Sequence, residues 1–201
     1  MPLSPQENEI ETRTQSRRGL RSWLNEIVIL ALFALIIVVP IRWFVAQPFI
    51  VRGASMEPTF ENGEYLIVDQ LSYRFENPKR GDVIIMRYPK DPSTFFIKRI
   101  IGLPGETVEF IGNRILIQRG AGTEALALDQ AFLDPKRTRE EYGTYALGPD
   151  EYFVLGDNRM ESSDSRSWGP LPAKDIVGHT LLRLFPPTRI ALLPGEVSLP
   201  Q

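Results

Sequence analysis

Lys98 and Ser55 are the two side chains best suited to chemistry in this sequence. Lys98 lies in Phe95-Phe96-Ile97-Lys98-Arg99-Ile100-Ile101. In an extended strand, side chains alternate between faces, so Phe96, Lys98 and Ile100 share one face and Ile97, Arg99 and Ile101 take the other. A lysine among apolar neighbours either packs its stem and sends its amine to water or is desolvated. Desolvation disfavours the ammonium, lowers the pKa and makes the amine a general base. Ser55 lies in Arg52-Gly53-Ala54-Ser55-Met56-Glu57-Pro58-Thr59, just after the extended run Phe49-Ile50-Val51. Its small neighbours leave room for a peptide backbone, and a turn here can aim N–H groups at a developing oxyanion. The same features also describe an ordinary turn serine. A third stretch runs Gly156-Asp157-Asn158-Arg159-Met160-Glu161-Ser162-Ser163-Asp164-Ser165-Arg166-Ser167-Trp168-Gly169-Pro170. Its turn formers, carboxylates and arginines fit a solvated loop or a hydrogen-bonded scaffold behind a site.

Composition removes most other chemistries. The 201 residues hold no cysteine and one histidine, His179. Thiol nucleophiles, disulfides and thiolate metal sites are excluded, as are histidine-pair metalloproteases. Lys+Arg is 23 against Asp+Glu 25, a net charge of -2 that argues against nucleic acid as a partner. No metal or organic cofactor is implied.

The elements that must position these residues are mostly strands. Short apolar runs at 65–69, 82–88, 95–101, 107–110, 114–118, 151–155 and 179–185 are rich in Val, Ile, Phe and Tyr. Ile111-Gly112-Asn113 marks a hairpin between two of them. No long helical period follows residue 46, so residues 47–201 are expected to form a mostly β, antiparallel domain. Residues 119–148 are the least patterned and are expected to be a loop-rich insertion.

The start of the chain has a different character. Residues 1–22 are polar and read as a disordered tail. Residues 27–41 carry no charge, and Trp23 and Trp43 stand twenty positions apart. On a helix that spacing is roughly 30 Å, the thickness of the hydrocarbon core, with an indole at each interface. Residues 23–46 are therefore expected to be a single transmembrane anchor rather than a cleaved signal peptide, since no small-x-small site follows promptly. Arg17, Arg18 and Arg21 precede it without an acid among them, which keeps the tail in the cytoplasm and exports the rest.

Taken in order, Ser55-Met56-x-Pro58-Thr59, Gly81-Asp82-Val83, Lys98-Arg99-Ile100-Ile101-Gly102-x-Pro104-Gly105 and Gly156-Asp157-Asn158-Arg159…Ser162…Asp164-Ser165-Arg166…Gly169 resemble the boxes of type I signal peptidases. The resemblance covers roughly residues 23–185. It implies an antiparallel β-sheet catalytic domain of signal-peptidase type behind one transmembrane helix, and a Ser/Lys dyad. Ser55 is then the nucleophile and Lys98 the base. Ser162 resembles the family serine that orients the lysine, and Arg99 with Asp157 and Asp164 with Arg166 resemble ion pairs that hold the loop behind it. Many family members have a hydroxyl residue two positions before the nucleophile as second oxyanion donor. Here that position is Gly53, which leaves the second donor open.

The implied substrate is the signal peptide of an exported preprotein, with small residues at the first and third positions before the cut. It would pair with the extended 49–52 run, with Phe49, Val51, Phe60, Phe96 and Ile97 as pocket walls. Phe44, Phe49, Ile50 and Phe60 are candidates for an apolar surface dipping into the lipid bilayer. The expected protein is monomeric, in a bacterial-type plasma membrane or a thylakoid, with its catalytic domain outside the cytoplasm. Two alternatives stay open: a narrow-specificity Ser/Lys maturation peptidase, and a non-catalytic membrane-anchored β-domain that serves as a secretion or assembly partner.

Overall fold

The computed structural model describes residues 23–37, 46–120 and 122–201, in two units, Met1–Phe44 and Val45–Gln201. In the first, residues 23–37 form a helix, α1, whose side chains are exposed. Among the described residues no helix is long and apolar enough to cross a membrane. The expected tail 1–22, and Pro40, Arg42, Trp43 and Phe44, lie outside the described residues. Ala46, expected at the end of the anchor, instead opens the first strand.

The second unit is built from antiparallel strands: β1 (Ala46–Ile50), β2 (Tyr65–Asp69), β3 (Val83–Tyr88), β4 (Asp91–Gly102), β5 (Thr107–Gly112), β6 (Arg114–Gln118), β7 (Leu126–Ala127), β8 (Glu141–Ala146), β9 (Glu151–Leu155), β10 (Leu171–Pro172), β11 (Ile176–Phe185) and β12 (Ala191–Leu192). A short helix, α2 (Ser165–Trp168), lies between β9 and β10. The larger sheet runs β1-β2-β11-β3-β4-β9-β10, with β12 on β11; the smaller runs β7-β6-β5-β8.

The 12-residue β4 joins these layers, and its alternation explains how. Phe96 and Ile100 pack with Ile84, Met86 and Val154 on one face. Ile97 packs with Val83, Ile85, Met56 and Phe60 on the other. Ile101 enters a third cluster with Val108, Phe110, Ile115 and Ile117 of the smaller sheet. Gly102 marks the crossing: a Cβ there would stand 2.5 Å from Val108 Cγ2 and 2.8 Å from Leu147 Cδ1. Only a residue without a side chain lets the two sheets approach so closely. Glu106 closes the following turn. It accepts from Leu103 N–H at 2.8 Å and pairs with the buried Arg80 at 2.7 Å. Burial works to raise the Glu106 pKa, but the Arg80 bonds and charge prevail and hold it below the usual carboxylate value.

In the segment 119–148 most described residues lie outside strands. It supplies β7 and β8, and β8 pairs with β5 along its whole length, from Thr107↔Ala146 to Gly112↔Glu141. Its Glu-Tyr-Gly-Thr-Tyr-Ala sequence lacks apolar alternation because neither face is fully buried: its residues alternate between half-buried and exposed. Tyr145 packs on Phe110 and Phe153 with ring centroids 5.9 and 4.7 Å apart, while Tyr142 stays exposed. β5 and β6 meet in the expected hairpin, with Ile111 opposite Arg114 and Gly112 at φ +62°.

Candidate active site

Ser55 sits in a turn between β1 and β2 that is pinned from both sides. Val51 N–H donates to Glu64 O, Gly63 N–H to Val51 O and Glu57 N–H to Ala54 O. Met56 and Phe60 anchor the turn from within the core, where they are 1% and 0% exposed. Phe60 is thus a correction to the expected set of pocket walls. It is a core side chain with the Arg183 guanidinium 4.9 Å from its ring, and it contributes to no apolar outer surface. From the opposite side, Asn158 N–H donates to Ser55 O at 3.0 Å and its side-chain amide to Ala54 O at 3.1 Å.

Lys98 approaches from β4, opposite Ile84 of β3. Its Nζ lies 2.8 Å from Ser55 Oγ and 2.8 Å from Ile97 O, and the residue is only 3% exposed. Burial pushes its pKa down to about 8, against the opposing pull of Asp164 and Asp157, with Arg166 adding to the lowering. An amine in this state is neutral in about a tenth of molecules at pH 7, far more than an ordinary lysine, and it is within reach of one hydroxyl.

The loop from Gly156 folds behind this pair. Arg99 grips Asp157 through two bonds, Nε to Oδ1 at 2.8 Å and Nη2 to Oδ2 at 2.6 Å, with both side chains 1% exposed. Thr59 Oγ1 donates to the same carboxylate at 2.6 Å, which ties the Ser55 loop to it. The remaining Arg99 nitrogen donates to Gly81 O and Gly195 O. Asp164 caps α2 and accepts two bonds from the Arg166 side chain, at 2.8 and 2.9 Å, and one from Gly156 N–H. Burial favours a neutral Asp164, but Arg166 outweighs it and the carboxyl is held below its usual pKa. Buried pairs so fully bonded fix geometry in a way that exposed pairs do not.

Two expected positions differ in detail. Ser162 Oγ is buried but makes no hydrogen bond in good geometry, to Lys98 or to any other described group. It lies close enough to Asp164 to help hold that carboxylate charged. Lys98 is therefore oriented by Ile97 O and Ser55 Oγ. Gly53 adopts φ +88°, and its N–H donates to Asn62 Oδ1 at 3.0 Å. That N–H is committed elsewhere, whereas none of the described hydrogen bonds uses Ser55 N–H. Sequence reasoning passed over Asn62, whose only signal was the turn-forming Asn62-Gly63 pair, and over the scaffold roles of Thr59 and Asn158, which lay inside the quoted motifs.

Phe49, Val51, Phe96 and Ile97 line a cleft of about 80 Å³ together with Ser55 and Lys98. Leu66 and Ile85, which the sequence did not single out, line it too, as do Ile50, Arg52 and Phe95, and Phe49 meets Phe95 edge-on at 5.5 Å. His179 lies apart from this site, with its Nε2 3.4 Å from Asp69.

Residues 22–185 match the family model described as signal peptidase, peptidase S26. A probable signal peptidase I-1 of Synechocystis sp. is 38% identical over 176 residues, covering 83% of this chain and 85% of the relative. A signal peptidase I of Leptolyngbya laminosa is 36% identical over 174 residues, covering 83% and 80%. A signal peptidase I P of Bacillus subtilis subsp. natto is 34% identical over 180 residues, covering 88% and 95%. Because the match extends through the Ser55 turn, β4 and the loop from Gly156, this chain belongs to the signal peptidase family, peptidase S26.

Proposed function

We propose that the chain is a membrane-anchored serine endopeptidase that cleaves N-terminal signal peptides from exported preproteins. One observation carries this reading: an amine shielded from water lies 2.8 Å from a serine hydroxyl, and both groups line one cleft. Neutral Lys98 removes the Ser55 proton as Oγ bonds to the scissile carbonyl carbon. Ser55 N–H is available to the oxyanion. The ammonium then protonates the departing amine as the C–N bond breaks, leaving an acyl ester on Ser55. The neutral amine next deprotonates a water as its oxygen bonds to the ester carbon; the C–Oγ bond then breaks, the ammonium returns its proton to Ser55 Oγ, and the signal peptide leaves with a new carboxyl end.

Substrate binding follows from the sheet. β1 is an outermost strand, bonded to β2 on one side. An extended peptide adds naturally to such an edge, and its alternate side chains then point into the cleft. A volume of about 80 Å³ suits small side chains, which supports the small residues at the first and third positions before the cut. Ile50, Tyr65 and Phe185 lie opposite one another on adjacent strands and are each 43–52% exposed, so an apolar patch flanks that edge and favours contact with lipid. The apolar run around α1 is the anchor in this reading, with the arginine-bearing tail in the cytoplasm and the catalytic unit outside.

Two expected outcomes test the chemistry. For detergent-solubilised protein acting on a panel of preproteins, kcat/KM rises with pH up to about 8 and then levels off, because only neutral Lys98 is active. At pH 6 it is about a hundredfold below the plateau; a flat profile between pH 6 and 9 removes Lys98 as the base. Gly156→Ala places a Cβ 2.3 Å from both Ser55 O and Ser162 Oγ. The nucleophile must then move by about 1 Å, and kcat falls about a hundredfold. Unchanged turnover in a folded Gly156→Ala protein means that the Ser55 position does not limit the reaction.

A further inference from the structure

Residues 186–201 lie beyond the stretch that matches the family model, yet they contact the loop that carries Ser55 and the arginine next to Lys98. After β11 the chain turns at Pro187–Arg189 and returns as β12, with Leu192 opposite Leu182. Arg189 reaches the Ser55 loop. Its Nη1 lies 2.8 Å from the Glu61 and Glu64 carboxylates, and its Nη2 donates to Pro58 O and Thr59 O at 3.2 and 3.3 Å. Gly195 then crosses behind β4, where its carbonyl accepts from Arg99 Nη1 at 2.7 Å. At the same point it packs against the Ser55 loop, since a Cβ on Gly195 would stand 2.8 Å from Thr59 and 2.9 Å from Phe60. Beyond it Leu199 is buried, and Pro200 and Gln201 bond to Arg80.

We propose that residues 189–201 act as a strap that sets the distance between Ser55 and Lys98, with Arg189 and Gly195 as positioning residues. Arg189 fixes the carbonyls that follow the nucleophile, and Gly195 fixes the guanidinium next to the base. Neither touches the reacting atoms, so their effect is on alignment, to which such reactions are acutely sensitive. This inference rests on the peptidase reading for its activity readout, but its second readout does not.

The test uses the full chain in detergent, as Gly195→Ala and Arg189→Ala variants. Each is expected to lower kcat about tenfold with KM within about twofold, since alignment and not binding is lost. The acid limb of kcat/KM, and the pH at which ¹⁵N-labelled Lys98 titrates by NMR, both move upward as water gains access to the amine. Wild-type kcat together with an unmoved limb in the variants overturns the strap. If Gly195→Ala fails to fold, Arg189→Ala decides, because the Arg189 side chain is 30% exposed and the buried Glu64 keeps its second partner, Arg183, at 3.1 Å. If the unmodified chain cleaves no preprotein, the peptidase reading fails. The Lys98 titration then decides the strap alone: an upward shift in the variants supports it and an unchanged midpoint overturns it.

Discussion

Ser55→Ala is expected to reduce kcat for preprotein cleavage by about 10⁵-fold, and Lys98→Ala by about 10⁴-fold, with both proteins still folding. In the proposed mechanism, the first variant removes the atom that forms the acyl ester. The second removes the proton acceptor that makes that atom a nucleophile, and its loss falls at the upper end of what general-base catalysis contributes. The two groups act as one unit across a single 2.8 Å contact, so the double variant is expected to be no worse than Ser55→Ala alone. Lys98→Arg is expected to be as inactive as Lys98→Ala, because a guanidinium stays charged at every accessible pH. Ser55 is half-buried and small, so Ser55→Ala disturbs little packing. The measurement is single-turnover cleavage of a preprotein by solubilised enzyme, with cooperative thermal unfolding as the control. Cleavage within tenfold of wild type by either single variant would refute the dyad, and would favour a β-domain that only binds partners.

The strands that two-residue periodicity identified share a physical property: every second residue enters one core cluster, while the residues between lie outside it in β2 and β6 and enter a second cluster in β9. β2, β6 and β9 occur at the expected residues because apolar side chains at every second position already specify an edge and a face. The same reasoning divided Phe96 and Ile100 from Ile97, which is how β4 is packed. β8 escaped because pairing with β5, and not apolar content, makes it a strand; long-range pairing leaves no mark in a local window. Phe60 shows the corresponding limit in the site. A phenylalanine five residues after Ser55 is equally apolar as a pocket wall or as a core anchor, and only the fold decides that it is 0% exposed. Arg99 and Asp157 stand 58 residues apart, so charge pattern alone could not pair them; the ordered motifs suggested the pairing. The Gly53 question had no answer in sequence, because it depended on whether Asn62 would take up the N–H.

Lys98→Met is expected to stabilise the protein at pH 7 by about 2 kcal/mol while abolishing activity. Folding moves the Lys98 pKa from its ordinary 10.5 to about 8, with burial as the leading cause. Between these values the unfolded chain binds more protons than the folded one, so wild-type stability rises with pH across that window. Below pH 8 both states are protonated, and the folded state carries the full penalty of a buried ammonium, about 3 kcal/mol. Above pH 10.5 the penalty is gone. Methionine at position 98 has no charge to bury and nearly the same length, so it escapes the penalty at every pH. It also gives up the bonds to Ser55 Oγ and Ile97 O, a loss of about 1 kcal/mol that does not depend on pH. The stability difference should therefore favour the variant at pH 7, shrink by about 1.4 kcal/mol per pH unit from pH 8 upward, and change sign within the window, before pH 10.5. In thermal unfolding this appears as a Tm about 5 °C higher than wild type at pH 7 and a crossing of the two curves between pH 8 and 10.5. A variant that is less stable than wild type at pH 7, or whose advantage does not change with pH, would mean that the amine is solvated in the folded protein. The dyad would then lack the physical basis for an uncharged lysine.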